Sequence, residues 1–298
     1  MEALDVTIES DGLALAGHLR WPSGDAPHAA LVFTGPLTGV KEQVVGRYAE
    51  GLAARGYATL AFDHRSFGAS DGTPRQDESA GGKLADLRDA VTFLTAHAEV
   101  ASDRIGCVGI CLGGGYAVRA AATDPRIGAV ATVAGCFNDP AAFRAGMGVE
   151  GYRATLRSFA DGLTSDALAG EPSYLPAVTD GDGDAAMGGR EPWEYYGTER
   201  SAAPNWENRV TRRSIRELLT FDAASFGALL PPTPLLVVHG RRDDYCGPDG
   251  AEALVARHGS AELVWLDASE HIDLYDVDRY VDPALDHLAD FFDRRLVG

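Results

Sequence analysis

Residues 109 to 115 read Gly-Ile-Cys-Leu-Gly-Gly-Gly, between an apolar strand-like stretch and a segment of small residues that is typical of a helix. The G-x-C-x-G pattern predicts a nucleophile elbow, a sharp strand-to-helix turn with the reactive side chain at its apex. Glycine flanks the apex because side chains two residues away would collide with the backbone. We therefore expect Cys111 to point into open space.

The elbow also predicts a thiol at the N-terminus of a helix. The free N–H groups and the dipole of a helix favour negative charge there, and they lower the pKa of a nearby cysteine. A partly ionised Cys111 is therefore expected. The alternative is an ordinary strand-to-helix loop with a buried cysteine, which this short pattern does not exclude by itself.

Length and composition limit the class of protein. The chain has 298 residues, 45% of them hydrophobic, which is enough for one large α/β domain with an insertion or for two small domains. Its formal net charge is -18, with 44 acidic and 26 basic residues, so a surface that follows nucleic-acid phosphates is not expected. The oligomeric state stays open, and a homodimer is a common outcome for acidic enzymes of this size.

The N-terminus and the cysteines indicate the compartment. The first twenty residues have no basic segment followed by an apolar one, and no stretch approaches eighteen consecutive apolar residues. We expect a soluble, cytoplasmic protein with no membrane partner. Its four cysteines are widely spaced and form no C-x-x-C pair, which fits neither a disulfide scaffold nor a zinc site. Reduced thiols are expected.

Hydrophobic periodicity predicts the order of strands and helices. Residues 4 to 9 and 13 to 20 alternate around Asp11-Gly12, which is typical of an antiparallel hairpin. Further strands are predicted at 29–33, 58–62, 105–110, 129–133, 234–239 and 262–266, and helices at 41–55, 83–97, 114–123, 249–258 and 278–296. This order indicates an α/β fold with an eight-stranded, mostly parallel sheet flanked by helices.

The alternation of predicted strands and helices is interrupted in the middle of the chain. Residues 137 to 230 contain helical patterns at 141–160 and 209–220 together with a turn-rich tract, which indicates a helical lid inserted after the sixth strand. We therefore predict a core of two parts, residues 1–136 and 231–298, interrupted by a lid at 137–230. Such lids usually shape a substrate pocket.

A cysteine nucleophile needs a base and a group that orients the base. One predicted strand runs into Asp243 and Asp244, and the last predicted strand is followed by His271. Carboxyl ends of parallel strands are where open α/β sheets place their sites. We predict Asp243 as the acid, with Asp244 as the alternative, and His271 as the base. The chain order of nucleophile, acid and histidine is that of the α/β-hydrolase fold.

Acyl transfer also needs donors for the developing oxyanion. The residue after the nucleophile, Leu112, is expected to supply one backbone N–H. The loop after the strand at 29–33 is expected to supply the other, and Leu37 is the better donor because Pro36 has no N–H. A plain strand-to-helix turn is the alternative for that loop.

The inserted segment is rich in aromatic residues. We predict that they cover an apolar acyl or polyketide-like substrate, although ordinary packing within a lid explains them equally well. The predicted substrate-binding residues are Tyr152, Trp193, Tyr195 and Tyr196. The sequence shows no phosphate cradle, dinucleotide fingerprint or metal-ligand cluster, so neither a cofactor nor a metal is expected.

Four stretches resemble a known family. They are residues 39–43 (Gly-Val-Lys-Glu-Gln), 62–68 (Phe-Asp-His-Arg-Ser-Phe-Gly), 109–115 and 271–276 (His-Ile-Asp-Leu-Tyr-Asp). Together they are similar to α/β hydrolases of the dienelactone-hydrolase type, in which a cysteine occupies the elbow, and to a branch of thioesterase-like or acyl-transferring proteins of polyketide pathways. The resemblance implies a triad of Cys111, Asp243 and His271, and a helical lid after the sixth strand.

Several functions are compatible with these residues. The first is hydrolysis of a carboxylic ester, lactone or thioester through an acyl-enzyme on Cys111, with a small acyl compound or a carrier-bound thioester as substrate. The second is acyl transfer or cyclisation from a thioester. The third is a lyase or isomerase in which Cys111 and His271 move protons, and the fourth is a binding protein without catalysis.

Overall fold

A computed structural model describes residues 2–181 and 183–298. The strands, in chain order, are β1 (Leu4–Ser10), β2 (Leu13–Arg20), β3 (His28–Thr34), β4 (Ala58–Phe62), β5 (Val100–Ile110), β6 (Ile127–Val133), β7 (Tyr174–Leu175), β8 (Val210–Thr211), β9 (Leu235–Gly240) and β10 (Glu262–Leu266). The α-helices are α1 (Val44–Ala53), α2 (Ala80–Thr95), α3 (Gly113–Ala121), α4 (Pro140–Ala169), α5 (Arg190–Tyr196), α6 (Arg212–Thr220), α7 (Pro248–His258), α8 (Asp273–Asp276) and α9 (Asp278–Phe292).

Eight of these strands form one sheet in the order β1-β2-β4-β3-β5-β6-β9-β10. The pairs β1–β2 and β2–β4 are antiparallel, and every other neighbouring pair in this sheet is parallel. The β1–β2 hairpin turns at Asp11 and Gly12, both at positive φ, as a tight two-residue hairpin turn requires. The prediction of a mostly parallel eight-stranded sheet flanked by helices is confirmed.

Both faces of the sheet are covered by helices because its central strands are apolar on both sides. On β3, Leu31 and Phe33 pack into the hydrophobic cluster that includes α1 and α9. Their neighbours Ala30 and Val32 point the other way, into the cluster that includes α2, α3 and α7. All four side chains are fully buried. The central strands are therefore fixed from both sides, and so are the loops at their carboxyl ends.

Three of those loops carry the predicted reactive residues. Cys111 follows β5, Asp243 follows β9 and His271 follows β10. Strands β5, β6, β9 and β10 are consecutive neighbours and run parallel, so their carboxyl ends meet at one edge of the sheet. The sheet topology therefore brings these residues together although they are spread over 160 positions of the sequence.

Between β6 and β9 the chain adds α4, α5, α6 and the small β7–β8 sheet. Helix α4 begins after Asp139, whose carboxylate accepts hydrogen bonds from two backbone N–H groups, and ends at the left-handed Gly170. The helix continues to Ala169, whereas the prediction ended it at 160. None of its residues is buried, so hydrophobic periodicity does not indicate where it ends. The predicted role of residues 137–230 as a lid stays a prediction.

In the described residues, no helix combines the length and the apolar character that a bilayer crossing needs.

Candidate active site

Cys111 occupies the apex of the turn between β5 and α3. Its φ is +53°, a left-handed conformation that is uncommon for a residue with a side chain. Its N–H donates to the carbonyl of Val133 at 3.1 Å, and its own carbonyl accepts from the N–H groups of Gly114 and Cys136, both at 2.8 Å. The strained conformation is therefore held by the two strands and the helix around it, as is typical of reactive sites.

Two glycines make this turn possible. A Cβ at Gly109 would lie 2.3 Å from the carbonyl oxygen of Gly113, and a Cβ at Gly113 would lie 2.2 Å from that of Thr34. Both distances are far shorter than a van der Waals contact, and both involve backbone that cannot move freely. The strand β5, the helix α3 and the loop after β3 therefore approach each other as closely as the elbow requires.

His271 is held by Asp243. The Nδ1 atom of His271 lies 2.6 Å from Oδ2 of Asp243, and both side chains are buried. The other carboxylate oxygen accepts from the backbone N–H groups of Tyr245 at 2.9 Å and Cys246 at 2.7 Å. Of the two predicted alternatives, Asp243 contacts the histidine, whereas Asp244 is exposed.

Cys111, Cys246 and His271 lie side by side. The two sulfur atoms are 3.9 Å apart, and a ring nitrogen of His271 is within 4.8 Å of both. The hydroxyl of Tyr275 lies 3.0 Å from Nε2 of His271. His271 thus contacts a carboxylate with one nitrogen and a hydroxyl with the other, beside the thiol of the elbow.

These contacts shift two pKa values in opposite directions. The hydrogen bond from the Cys246 thiol lowers the pKa of Cys111 well below that of an ordinary thiol, against the effect of burial, and His271 and Tyr275 lower it further. Burial disfavours a charged His271, but the negative charge of Cys111 and the hydrogen bond to Asp243 outweigh it and raise its pKa to about 10. Both shifts favour a thiolate–imidazolium pair over a neutral thiol beside a neutral ring.

The predicted oxyanion donors face the same space. Leu112 and Leu37 both line the cavity beside Cys111. Within the described residues, neither of their backbone N–H groups donates a hydrogen bond to a protein acceptor. Backbone N–H groups without a protein acceptor beside the Cys111 thiol are compatible with the predicted oxyanion site, which stays a prediction.

The cavity at Cys111 has a volume of about 230 Å³. Part of its wall comes from the loops of the sheet, and the rest comes from the segment between β6 and β9. That segment contributes Cys136, Asn138, Ala186, Met187, Gly188, Pro192, Tyr196 and Leu218. The wall is mostly apolar, so it suits a hydrophobic acyl group more than a charged one.

One of the four predicted aromatic residues lines the cavity, and the other three lie elsewhere. Tyr196 lines the cavity and stacks on Trp206, with ring centroids 5.6 Å apart. Tyr195 is buried behind it, edge-on to Tyr275, because adjacent residues of the short helix α5 point in different directions. Trp193 packs against the core, and Tyr152 lies on the solvent-facing helix α4. These three are not among the cavity-lining residues.

Three side chains of the site were not predicted from the sequence. Tyr275 and Tyr245 line the cavity, as does Cys246. Tyr275 follows His271 by four residues, a spacing that places two side chains on one face of a helical turn, so a signal for it existed. Tyr245 and Cys246 follow Asp243 in a loop, where no periodicity indicates the direction of a side chain.

Residues 63–72, which follow β4, hold the neighbouring loops in place. Asp63 accepts from the backbone N–H groups of Lys41 at 2.7 Å and Ala69 at 2.9 Å. The buried His64 lies 2.9 Å from the Thr34 hydroxyl and 3.2 Å from Asp86. These bonds fix the loops beside the site without reaching the cavity.

The fold and the site together define an α/β hydrolase. Residues 26–278 match the family model described as "Serine aminopeptidase, S33", named Hydrolase_4. The chain therefore belongs to this family. Its elbow carries cysteine where the family description names serine.

Two curated relatives cover most of the chain. An uncharacterized protein, YcjY, of Escherichia coli K12 is 33% identical over 90% of this chain and 89% of its own length. The thiohydrolase aneE of Aspergillus aculeatus is 30% identical over 79% of this chain and 75% of its own length.

Two solved structures have the same fold over nearly the whole chain. The hypothetical protein PA2218 from Pseudomonas aeruginosa has a TM-score of 0.87 at 31% identity, covering 99% of this chain and 94% of its own. The α/β hydrolase GrgF from a Penicillium species has a TM-score of 0.82 at 26% identity, with full coverage of both chains. GrgF is named a polyketide transferase among the curated relatives.

Proposed function

We propose that this protein hydrolyses a carboxylic ester, lactone or thioester through an acyl-enzyme on Cys111. The observation that carries the proposal is the contact network at the elbow, in which His271 is held by the Asp243 carboxylate at 2.6 Å beside a thiol of lowered pKa. A positioned base next to an activated nucleophile is the arrangement that covalent catalysis requires.

Each residue then has a role in the reaction. The Cys111 thiolate attacks the acyl carbon, and the carbonyl oxygen becomes an oxyanion that accepts from the N–H groups of Leu112 and Leu37. Collapse of this intermediate breaks the bond to the leaving oxygen or sulfur, which takes the proton of the His271 imidazolium. Water then attacks the acyl-cysteine and gives its proton to His271. The second collapse releases the acid and restores the thiolate.

The chemistry of a thiol narrows the substrate class. An acyl-cysteine is itself a thioester, so it forms from another thioester by direct exchange, and from an ester or lactone when His271 protonates the leaving oxygen. An amide has a much poorer leaving group, and we therefore do not propose peptidase activity for this chain. The name of the thiohydrolase aneE and the resemblance to dienelactone-hydrolase-type proteins support the same choice.

A second candidate is acyl transfer, which the polyketide transferase name of GrgF favours. The first half of the reaction is the same, and the acceptor is an alcohol or an amine in place of water. Apolar residues from the segment between β6 and β9 form part of the cavity wall, and exclusion of water by such a wall would favour an alcohol or amine acceptor. The two candidates therefore differ in the second half of the reaction alone.

The test is the intact mass of the protein after brief mixing with a short acyl thioester or an activated ester. We expect an added acyl mass on wild type and none on Cys111→Ala. In wild type, the thiol or phenol should be released as fast as the acyl mass is added. Slow loss of the adduct in water, accelerated by an added alcohol or amine, would favour transfer over hydrolysis. An equal adduct on Cys111→Ala, or turnover that Cys111→Ala retains, would refute the proposed mechanism.

A further inference from the structure

Three of the four cysteines of the chain meet at one cavity. Cys111, Cys136 and Cys246 all line it, together with His271. The mechanism proposed above uses Cys111 and His271 but gives no chemical role to Cys246, whose thiol is buried. The sequence showed no metal-binding pattern because these residues come from separate loops after β5, β6, β9 and β10.

The distance between the two sulfur atoms of this cluster matches that of a tetrahedral metal site. The sulfur atoms of Cys111 and Cys246 are 3.9 Å apart. Two thiolates bound to one zinc ion at the usual length of about 2.3 Å are about 3.8 Å apart when the coordination is tetrahedral. A ring nitrogen of His271 lies within 4.8 Å of both sulfur atoms. Small side-chain rotations would therefore bring all three donors onto one ion.

The surroundings of His271 also suit a metal ligand. Histidines that bind zinc usually place their second nitrogen against a carboxylate, which fixes the ring and makes the ligating nitrogen more basic. Asp243 does this here at 2.6 Å from Nδ1, and two backbone N–H groups hold the carboxylate itself. The donor set of two thiols and one imidazole is the type that zinc prefers.

We propose that Cys111, Cys246 and His271 form a site for a zinc-like divalent cation, which occupies the reactive thiol and reversibly prevents acyl transfer. The fourth coordination position faces the cavity and takes water. Binding displaces two protons to the solvent, one from the Cys246 thiol and one from the Cys111–His271 pair. The metal site stands on the geometry of the three donors, whereas the block of acyl transfer rests on the proposed function.

Cys136 provides a matched control. It is a third thiol on the same cavity wall, but it lies outside the three-residue donor set, and its sulfur lies 3.5 Å from the side-chain oxygen of Asn138. Replacing it removes a thiol that contacts Cys246 but donates nothing to the ion, and it leaves the three donors in place. A loss of metal affinity that is specific to Cys246 is therefore separable from a general effect of removing sulfur.

The first experiment is a titration of the purified protein with Zn²⁺ against a chromophoric metal indicator, without substrate and with a non-thiol reductant. We expect one equivalent to bind to wild type, with affinity reduced at least about tenfold in Cys246→Ala and unchanged in Cys136→Ala. Equal affinity in wild type and Cys246→Ala would overturn the proposal, as would the absence of binding to wild type.

A second measurement uses the wild-type protein and does not depend on the folding of a variant. Co²⁺ bound by two thiolates gives an intense sulfur-to-metal charge-transfer band in the near ultraviolet. We expect this band in wild type and its loss after Cys111 is alkylated with iodoacetamide. A Co²⁺ spectrum without the band, or one that alkylation leaves unchanged, would overturn the proposal. Since neither experiment measures turnover, failure here is distinguishable from failure of the hydrolase proposal.

Discussion

The hydroxyl of Tyr275 lies 3.0 Å from Nε2 of His271, while Asp243 holds Nδ1 of the same ring. Both nitrogens of the histidine are therefore occupied in the absence of substrate. Burial raises the pKa of Tyr275 well above its ordinary value, so this hydroxyl stays protonated. Its hydrogen bond also helps to lower the pKa of Cys111. Tyr275 is thus a positioning residue that acts on both members of the ion pair.

The first prediction concerns the variant Tyr275→Phe. Removing one hydrogen bond to the thiolate costs about 1 kcal/mol, which corresponds to about fivefold less thiolate below its pKa. We expect alkylation of Cys111 by iodoacetamide to slow by this factor on the acidic side of its pH profile and to be unchanged at high pH. An unaltered profile would mean that Tyr275 contributes packing alone.

The second prediction concerns pH. The pKa of Cys111 is lowered and that of His271 is raised to about 10, so the ion pair persists from the lowered thiol pKa up to about pH 10. The alkylation rate of an ordinary thiol, in contrast, rises about tenfold with each pH unit up to its pKa of about 8.5. Alkylation of wild-type Cys111 should therefore be nearly independent of pH between 7 and 9.

Replacing the carboxylate tests the cause of that plateau. Asp243→Asn removes the negative charge that raises the pKa of His271, so the imidazolium is lost at lower pH and the thiol pKa rises. We expect alkylation at pH 7 to slow and to become dependent on pH. Asp244→Asn is the matched control, since that side chain is exposed, and it should behave as wild type. Equal profiles for the two variants would contradict the role of Asp243.

The third prediction concerns stability at the elbow. A Cβ at Gly113 would lie 2.2 Å from the backbone oxygen of Thr34, so Gly113→Ala should lower the free energy of unfolding by about 3 kcal/mol or more. Gly146, in the exposed helix α4, has nothing within 4 Å of such an atom. Gly146→Ala should be neutral or stabilise by about 0.5 to 1 kcal/mol. Urea unfolding of both variants measures the difference, and equal stability would contradict the close approach.

The fold followed from the sequence because its strongest signals are local. Apolar runs of strand length alternated with helical patterns, and handedness and connection rules left few ways to arrange them. Boundaries were less accurate where tertiary contacts decide them. The prediction placed the start of β5 five residues after Val100, because residues 102–104 are exposed and interrupt the hydrophobic pattern. The predicted end of α4 falls short of Ala169 for the same reason.

The candidate site was only partly predictable from the sequence. The positions of Cys111, Asp243 and His271 follow from the rule that reactive residues stand at the carboxyl ends of parallel strands, since each comes just after a strand. The aromatic content of the insertion predicted Tyr196, which lines the cavity, but also Tyr152, Trp193 and Tyr195, which do not. Which side chains of a loop or short helix face the sheet depends on tertiary packing, so the sequence did not separate these residues or predict that Cys246 contacts Cys111.

The final prediction concerns the selectivity of the cavity. Tyr196 lines the cavity and is 3% exposed, and its hydroxyl finds no hydrogen-bond partner in the described part of the chain. The neighbouring hydroxyl of Tyr275 acts on the pKa of Tyr196 but lies beyond hydrogen-bond distance in the described residues, and it is engaged with His271. Because burial raises the pKa of Tyr196, its hydroxyl stays protonated and is able to donate. A buried donor without a partner is costly, and a substrate oxygen that accepts from it would recover that cost.

We therefore expect Tyr196→Phe to lower kcat/KM by about tenfold for acyl thioesters with a keto or hydroxyl oxygen near the thioester, in line with a hydrogen bond worth about 1.4 kcal/mol. Unsubstituted acyl thioesters of the same chain length should react as they do with wild type. The free energy of unfolding should be unchanged or slightly higher, because the variant removes a polar group that has no partner in the protein. An equal loss for both substrates, or a destabilised variant, would instead place the hydroxyl in a bond within the protein.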